Sequence, residues 1–146
     1  MEKRVNIYEV EPEAYKAIYA LERYMTTTQL SKTHKELIKI RASQINGCAF
    51  CIDMHTKDAI KNGETVQRIF LLNAWRETDL FTEEEKLILA ITEEVTLIHD
   101  QGLTSETYKK AAQVFDEKYI AQILMAVATI NVWNRIAVST HKEIGK

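Results

Sequence analysis

A chain of 146 residues with one proline, Pro12, and only four glycines offers few places to break a helix. That sparse punctuation falls between stretches of helical periodicity, and only Val5 to Val10 alternates in the manner of a strand. The expectation is an all-α bundle of about six to seven helices, a single domain over 1–146. Pro12 suits a first helical turn, and Tyr15, Ile18, Tyr19 and Leu21 supply its apolar stripe until Thr26-Thr27-Thr28 weakens it. A second helix should start near Ser31 or Thr33, where Thr33 and Glu36 have capping-box spacing, and stop at Asn46-Gly47. A third opens at or just after Cys48 and runs to Asn62-Gly63, and a short fourth covers Glu64 to Arg76. Thr82 and Glu85 form another capping box at the head of a long helix, and Thr104 opens the next.

The last helix, about Lys118 to Val138, is apolar on most of its circumference. Such a helix is buried on more than one side. Either it is the central helix of the bundle or another subunit covers its far side; self-association is the expectation.

Hydrophobic residues are 46% of the chain and charged residues 27%, which excludes a disordered or membrane-dominated protein. Apolar runs such as Ile123 to Ile130 are too short to span a bilayer. The opening MEKRVNIYEVEPEAY carries charges where a secretory leader would be apolar, so a cytoplasmic location is expected. With 19 basic residues scattered among 21 acidic ones, no basic stripe marks a nucleic-acid or anionic-membrane partner.

Both cysteines, Cys48 and Cys51, lie in one C-x-x-C. A bridge that short closes too small a loop to restrain the unfolded chain, so the purpose reads as chemical. If a helix begins at Cys48, then Cys48, Cys51 and His55 share one narrow face, with His55 one turn beyond Cys51. Cys48 sits where unpaired N–H groups and the helix dipole favour a thiolate. Glu36, twelve positions earlier on the preceding helix, could return antiparallel to His55, fix its tautomer and raise its basicity. His55 would take the Cys51 proton; the thiolate would attack a peroxide oxygen, and Cys48 would close the disulfide. The reductant is then an external dithiol, with no bound cofactor. Each residue has a plainer reading: Cys51 as a small buried hydrophobe, His55 as a satisfied histidine, Glu36 as half of the Thr33 capping box. A thioredoxin reading fails for want of a βαβ pattern. Zinc on Cys48, Cys51, His55 and either His34 or Glu36 is disfavoured, because ligands on one regular helix rarely converge tetrahedrally. The expected metal content is none. His99 and His141 have no evident partners and read as solvated.

The pattern Glu36, Cys48, Cys51, His55 resembles the AhpD-like alkylhydroperoxidase group of the carboxymuconolactone decarboxylase superfamily. Arg41-Ala42-Ser43, Asn46-Gly47-Cys48, the stretch Cys51 to His55, Phe81 to Thr96 and Asn131 to Arg135 are similar as well. The resemblance covers most of the chain, with the redox core at about 31–100. It implies an AhpD-like fold, assembly into trimers or hexamers, and a peroxidase or disulfide reductase drawing on a dithiol, thioredoxin or lipoyl-type reductant. It also implies that Cys51 attacks the hydroperoxide while Cys48 resolves and exchanges. The best-known members carry a histidine immediately before the second cysteine, where this chain has Phe50. The helix terminus favours attack by Cys48 and the histidine spacing favours Cys51. Two other functions stay open: a non-catalytic redox switch or oligomeric scaffold, and a decarboxylase-type enzyme indifferent to both cysteines. Asn131 and Asn134 read as amides capping a neighbouring helix, and Trp133 as core or interface.

Overall fold

Helix boundaries follow local chemistry in most places. In the computed structural model, which describes residues 2–145, the order is α1 (Ile7–Val10), α2 (Pro12–Thr26), α3 (Lys32–Asn46), α4 (Ala49–Lys61) and α5 (Val66–Phe70). A 3₁₀ segment (Leu72–Glu77) follows, then α6 (Glu83–Thr96), α7 (Ser105–Val114) and α8 (Glu117–Ser139). These are nine helical segments among the described residues, against the six to seven expected, with no strand.

Two differences account for the count. Val5 to Val10 has no partner strand; its donors fold back instead, with the Val10 and Glu11 amides bonded to the Asn6 and Ile7 carbonyls. The expected Glu64–Arg76 helix breaks after Phe70 and leaves helical geometry again at Ala74 (φ −116°, ψ 25°). The break lets both Leu72 and Trp75 turn inward to the core with Leu37, Ile40 and Leu89. Burial of a leucine and an indole, about 2–3 kcal/mol apiece, outweighs a few continued helical bonds.

Caps at Thr82 and Thr104 form where expected; Thr82 and Glu85 complete a reciprocal box. The expected box at Thr33 and Glu36 does not form. Ser31 accepts the His34 amide at 3.1 Å and caps α3, which frees Glu36 to turn inward.

The apolar circumference of α8 is met within the chain, by α2, α3, α4, α6 and α7. It is the central helix of the bundle, so its composition by itself does not require a second subunit. Among the described residues it is also the one helix long and apolar enough to cross a membrane, and half of that stretch is buried inside the bundle.

At its C-terminus α3 ends in a tight turn. The Gly47 amide donates to the Gln44 carbonyl and the Cys48 amide to Ser43, with Gly47 left-handed at φ 65°. Nothing would lie within 4 Å of a Cβ there, so the need for glycine is one of backbone conformation. The next residue already caps α4: the Cys48 Sγ accepts the Cys51 amide at 3.3 Å. One residue therefore closes α3 and opens α4.

Candidate active site

Because the turn is so tight, α3 and α4 pack side by side and antiparallel, and their facing residues form the site. Cys48 and Cys51 are joined by a disulfide with Cα atoms 5.3 Å apart, and they are 1% and 2% exposed. One turn on, His55 is 7% exposed, and Glu36 of α3 faces it at 8%. All four expected residues thus converge between two helices and the C-terminal half of α8, where Ala137 packs with the two cysteines.

The His55–Glu36 contact differs from the expectation. Nδ1 lies 3.7 Å from Glu36 Oε2, beyond hydrogen-bond range, and neither atom has a partner among the described residues. Burial pushes the imidazole down to about 4, Lys39 adds to this, and the Asp58 charge opposes it. Burial likewise raises the Glu36 carboxyl, against the pull of Lys39, which bonds its Oε1 at 3.4 Å. Desolvation therefore wins over the pairing that was to make His55 more basic. At neutral pH the imidazole is uncharged, the form that can accept a proton.

Cys51 and His55 open onto a cavity of about 290 Å³ walled by Tyr15, Tyr19, Phe50, Met54, Trp133 and Ile136. Tyr15, Tyr19 and Trp133 pack with ring centroids 5.6–5.9 Å apart. Trp133 packs against the core and also lines this cavity, where its indole donates to Glu22 at 2.8 Å. Lys142 closes one side, its Nζ 4.7 Å from the Phe50 ring centroid. A separate cavity of about 160 Å³ reaches Cys48 and is lined by Gly47, Ala49, Val138 and His141. Phe50, Ala137 and Lys142 belong to both walls.

Behind the cysteines, a chain of amides ties α3 to α8. Asn46 donates to Asn131 and Asn134, both at 2.9 Å, and Asn134, 0% exposed, donates to Ser43 Oγ. Side-chain pairing, more than capping of backbone groups, is what these asparagines do. In the sequence Asn46-Gly47 signals only a helix stop, and nothing there marks Asn46 and Ser43 as partners of Asn134.

The other three histidines lie outside this group of four, and one of them departs from expectation. His34, weighed as a metal ligand, lies 2.7 Å from the Tyr119 hydroxyl at the opposite end of α3 from the cysteines. His141 is half-buried, not solvated, and holds a left-handed backbone (φ 52°). His99 is exposed as expected.

A family model described as the carboxymuconolactone decarboxylase family matches residues 12–94, more than half of the chain. The chain belongs to that family. The family match spans Glu36, both cysteines and His55 and stops within α6. The uncharacterised protein YdfG of Bacillus subtilis (strain 168) is 45% identical over 139 residues, 95% of each chain. A crystal structure of an Agrobacterium tumefaciens protein of unknown function, provisionally described as the antioxidant defence protein AhpD, superposes with a TM-score of 0.95. It is 39% identical and the match covers 99% of both chains, so the fold is AhpD-like. The debrominase Bmp8 shares the fold at a TM-score of 0.82 and 18% identity, over 94% of this chain and 74% of that one. At that identity the likeness is one of fold alone.

Proposed function

We propose that the protein is a thiol-dependent peroxidase and disulfide reductase that turns over hydroperoxides through Cys48 and Cys51. The observation that carries this reading is the buried Cys48–Cys51 couple, with a neutral histidine one turn away, at the floor of a largely apolar cavity. In the reduced protein His55 accepts the Cys51 proton, directly or by exchange through solvent, and the imidazolium is steadied by Glu36. The Cys51 thiolate attacks one peroxide oxygen, the O–O bond breaks, and the alkoxide leaves with the proton held on His55. Cys51 is now a sulfenic acid. Cys48 gives up its thiol proton as its sulfur displaces the hydroxyl, which leaves with that proton as water while the disulfide closes, and a dithiol of the thioredoxin or lipoyl type returns two electrons.

Cys48 is suited to the resolving part. Its sulfur already accepts an amide at the start of α4, which favours the thiolate. Phe50 makes the cavity drier than a histidine would, which suits apolar hydroperoxides. A cycle drawing on cellular dithiols requires a reducing compartment, and we place the protein in the cytoplasm. We also place it in a homo-oligomer, trimeric or hexameric, as the family resemblance implies.

The test is turnover of a small organic hydroperoxide with excess dithiol, beside His55→Ala and Glu36→Gln. We expect turnover in the parent, a loss of about 10²-fold or more in His55→Ala, and a smaller loss in Glu36→Gln. Clean disulfide formation without turnover would replace this reading by a redox switch.

A further inference from the structure

We propose that His141 is the proton acceptor for the reducing thiol, and that reductant enters by its own mouth at Cys48 instead of the Cys51 cavity. The proposal rests on reading Cys48–Cys51 as a couple reopened by a dithiol. Three observations carry it. First, the two cysteines line different cavities: Cys51 and His55 one, Cys48 and His141 the other, with His141 also bordering a third against the N-terminal segment. Phe50, Ala137 and Lys142 form the partition between them. A disulfide with 1% and 2% exposed ends can be reached only along such openings, and attack requires the nucleophile in line with the S–S bond. Reductant entering beside His141 meets Cys48 and leaves the Cys51 cavity to the peroxide.

Second, the His141 Nδ1 is buried and has no hydrogen-bond partner among the described residues. Buried polar atoms are nearly always paired, and those that are not deserve an account. An imidazole on the wall of the cavity that reaches Cys48, the sulfur a thiolate must attack, is such an account.

Third, the ring is held there by an uncommon backbone. At the end of α8 the Lys142 amide donates to the Ala137 carbonyl at 2.9 Å and the His141 amide to Val138 at 3.3 Å. That turn puts His141 at the left-handed position where glycine is usual. Sparsely populated backbone at a non-glycine residue clusters at functional sites.

The exchange balances as follows. The first thiol of the reductant gives its proton to His141, and its thiolate attacks Cys48 Sγ; the Cys48–Cys51 bond breaks and its electron pair goes to Cys51. The second thiol then attacks the reductant's own sulfur in the mixed disulfide, and Cys48 leaves as thiolate, taking the proton from His141. The second thiol's proton passes to solvent, from which Cys51 takes one through His55. The dithiol ends as a cyclic disulfide, two electrons poorer.

The charged and titratable groups around His141 are Lys142 and Glu143 beside it, Glu2, Lys3 and Arg4 of the N-terminal segment, and Tyr15 of α2. The test follows reduction of the oxidised protein by dithiothreitol alone, with no peroxide present, from pH 6 to pH 10. The variants are His141→Gly, His141→Asn and, as a control, the exposed His99→Gln. Glycine and asparagine both suit the left-handed backbone, so the turn survives. At pH 7 few thiols with a pKa near about 8.5 are ionised and a base matters; at pH 10 thiolate forms unaided. We expect both His141 variants to be at least about tenfold slower than the parent at pH 7 and to converge with it at pH 10. His99→Gln should match the parent throughout. Parent-like rates at pH 7, a loss that persists undiminished at pH 10, or an equal loss in His99→Gln would each overturn the proposal. A parent that fails to consume hydroperoxide would refute the function proposed above while leaving this measurement intact.

Discussion

Replacing His55 by glutamine should make the protein less sensitive to acid. A histidine buried neutral binds its proton less readily in the folded chain than in the unfolded one. Its ordinary value is 6.5 and burial pushes it down to about 4. Between those values the unfolded chain carries the extra proton, so stability rises with pH there and falls as the solution is acidified. Integrating across the window gives a loss of about 2 kcal/mol by pH 5 and about 3 kcal/mol by pH 4, relative to pH 8. Glu36 acts in the opposite sense. Its carboxyl is raised by burial, so it favours the folded chain at low pH and loses that contribution as pH climbs above the usual carboxylate range. Urea unfolding at pH 8, 6, 5 and 4, on parent and His55→Gln, isolates the histidine because Glu36 is common to both. The gap between the two stability curves should shift by about 2–3 kcal/mol from pH 8 to pH 4 in favour of the variant. Parallel curves would refute the reasoning, for they would mean that His55 keeps an ordinary affinity for its proton.

Asn134→Ala removes a fully buried amide that bonds Ser43 and Asn46, and should cost about 2–3 kcal/mol in denaturant unfolding; a cost under 1 kcal/mol would show that the α3–α8 amide chain is not a stabilising unit. His141→Gly relieves a left-handed non-glycine residue while freeing the unfolded chain, so its stability should lie within about 1 kcal/mol of the parent; a larger loss would mean the imidazole holds the C-terminus in place.

What could be read from the sequence was mainly what is local. A hydroxyl followed three residues later by glutamate gave the start of α6, and Asn46-Gly47-Cys48 gave the junction of α3 and α4, because both signals act on backbone groups within a turn. The spacing of Cys48, Cys51 and His55 then carried the active face, since a regular helix fixes it. Where two local signals competed, sequence could not choose. Ser31 and Thr33 both offer a cap; the cap formed is at Ser31, and Glu36 is left to face His55. Tertiary burial decided the rest. Leu72 and Trp75 break a helix that their local sequence would continue, and five helices close around α8. The sign of the His55 shift was missed for a related reason: sequence shows a partner carboxylate but not the depth at which the pair lies. His141 had no sequence signal at all. Its position is set by the left-handed turn ending α8 and by a cavity that exists only once α4 and α8 have met.

The most direct measurement of the central claim is the mass of fully reduced Cys48→Ser protein after one equivalent of organic hydroperoxide, with the modified residue located by peptide mapping. The account predicts a product heavier by one oxygen atom, carried on Cys51, while the parent under the same treatment loses two hydrogen atoms and closes its disulfide. An unmodified Cys51, or oxygen added only at Cys48 in the converse Cys51→Ser protein, would contradict it.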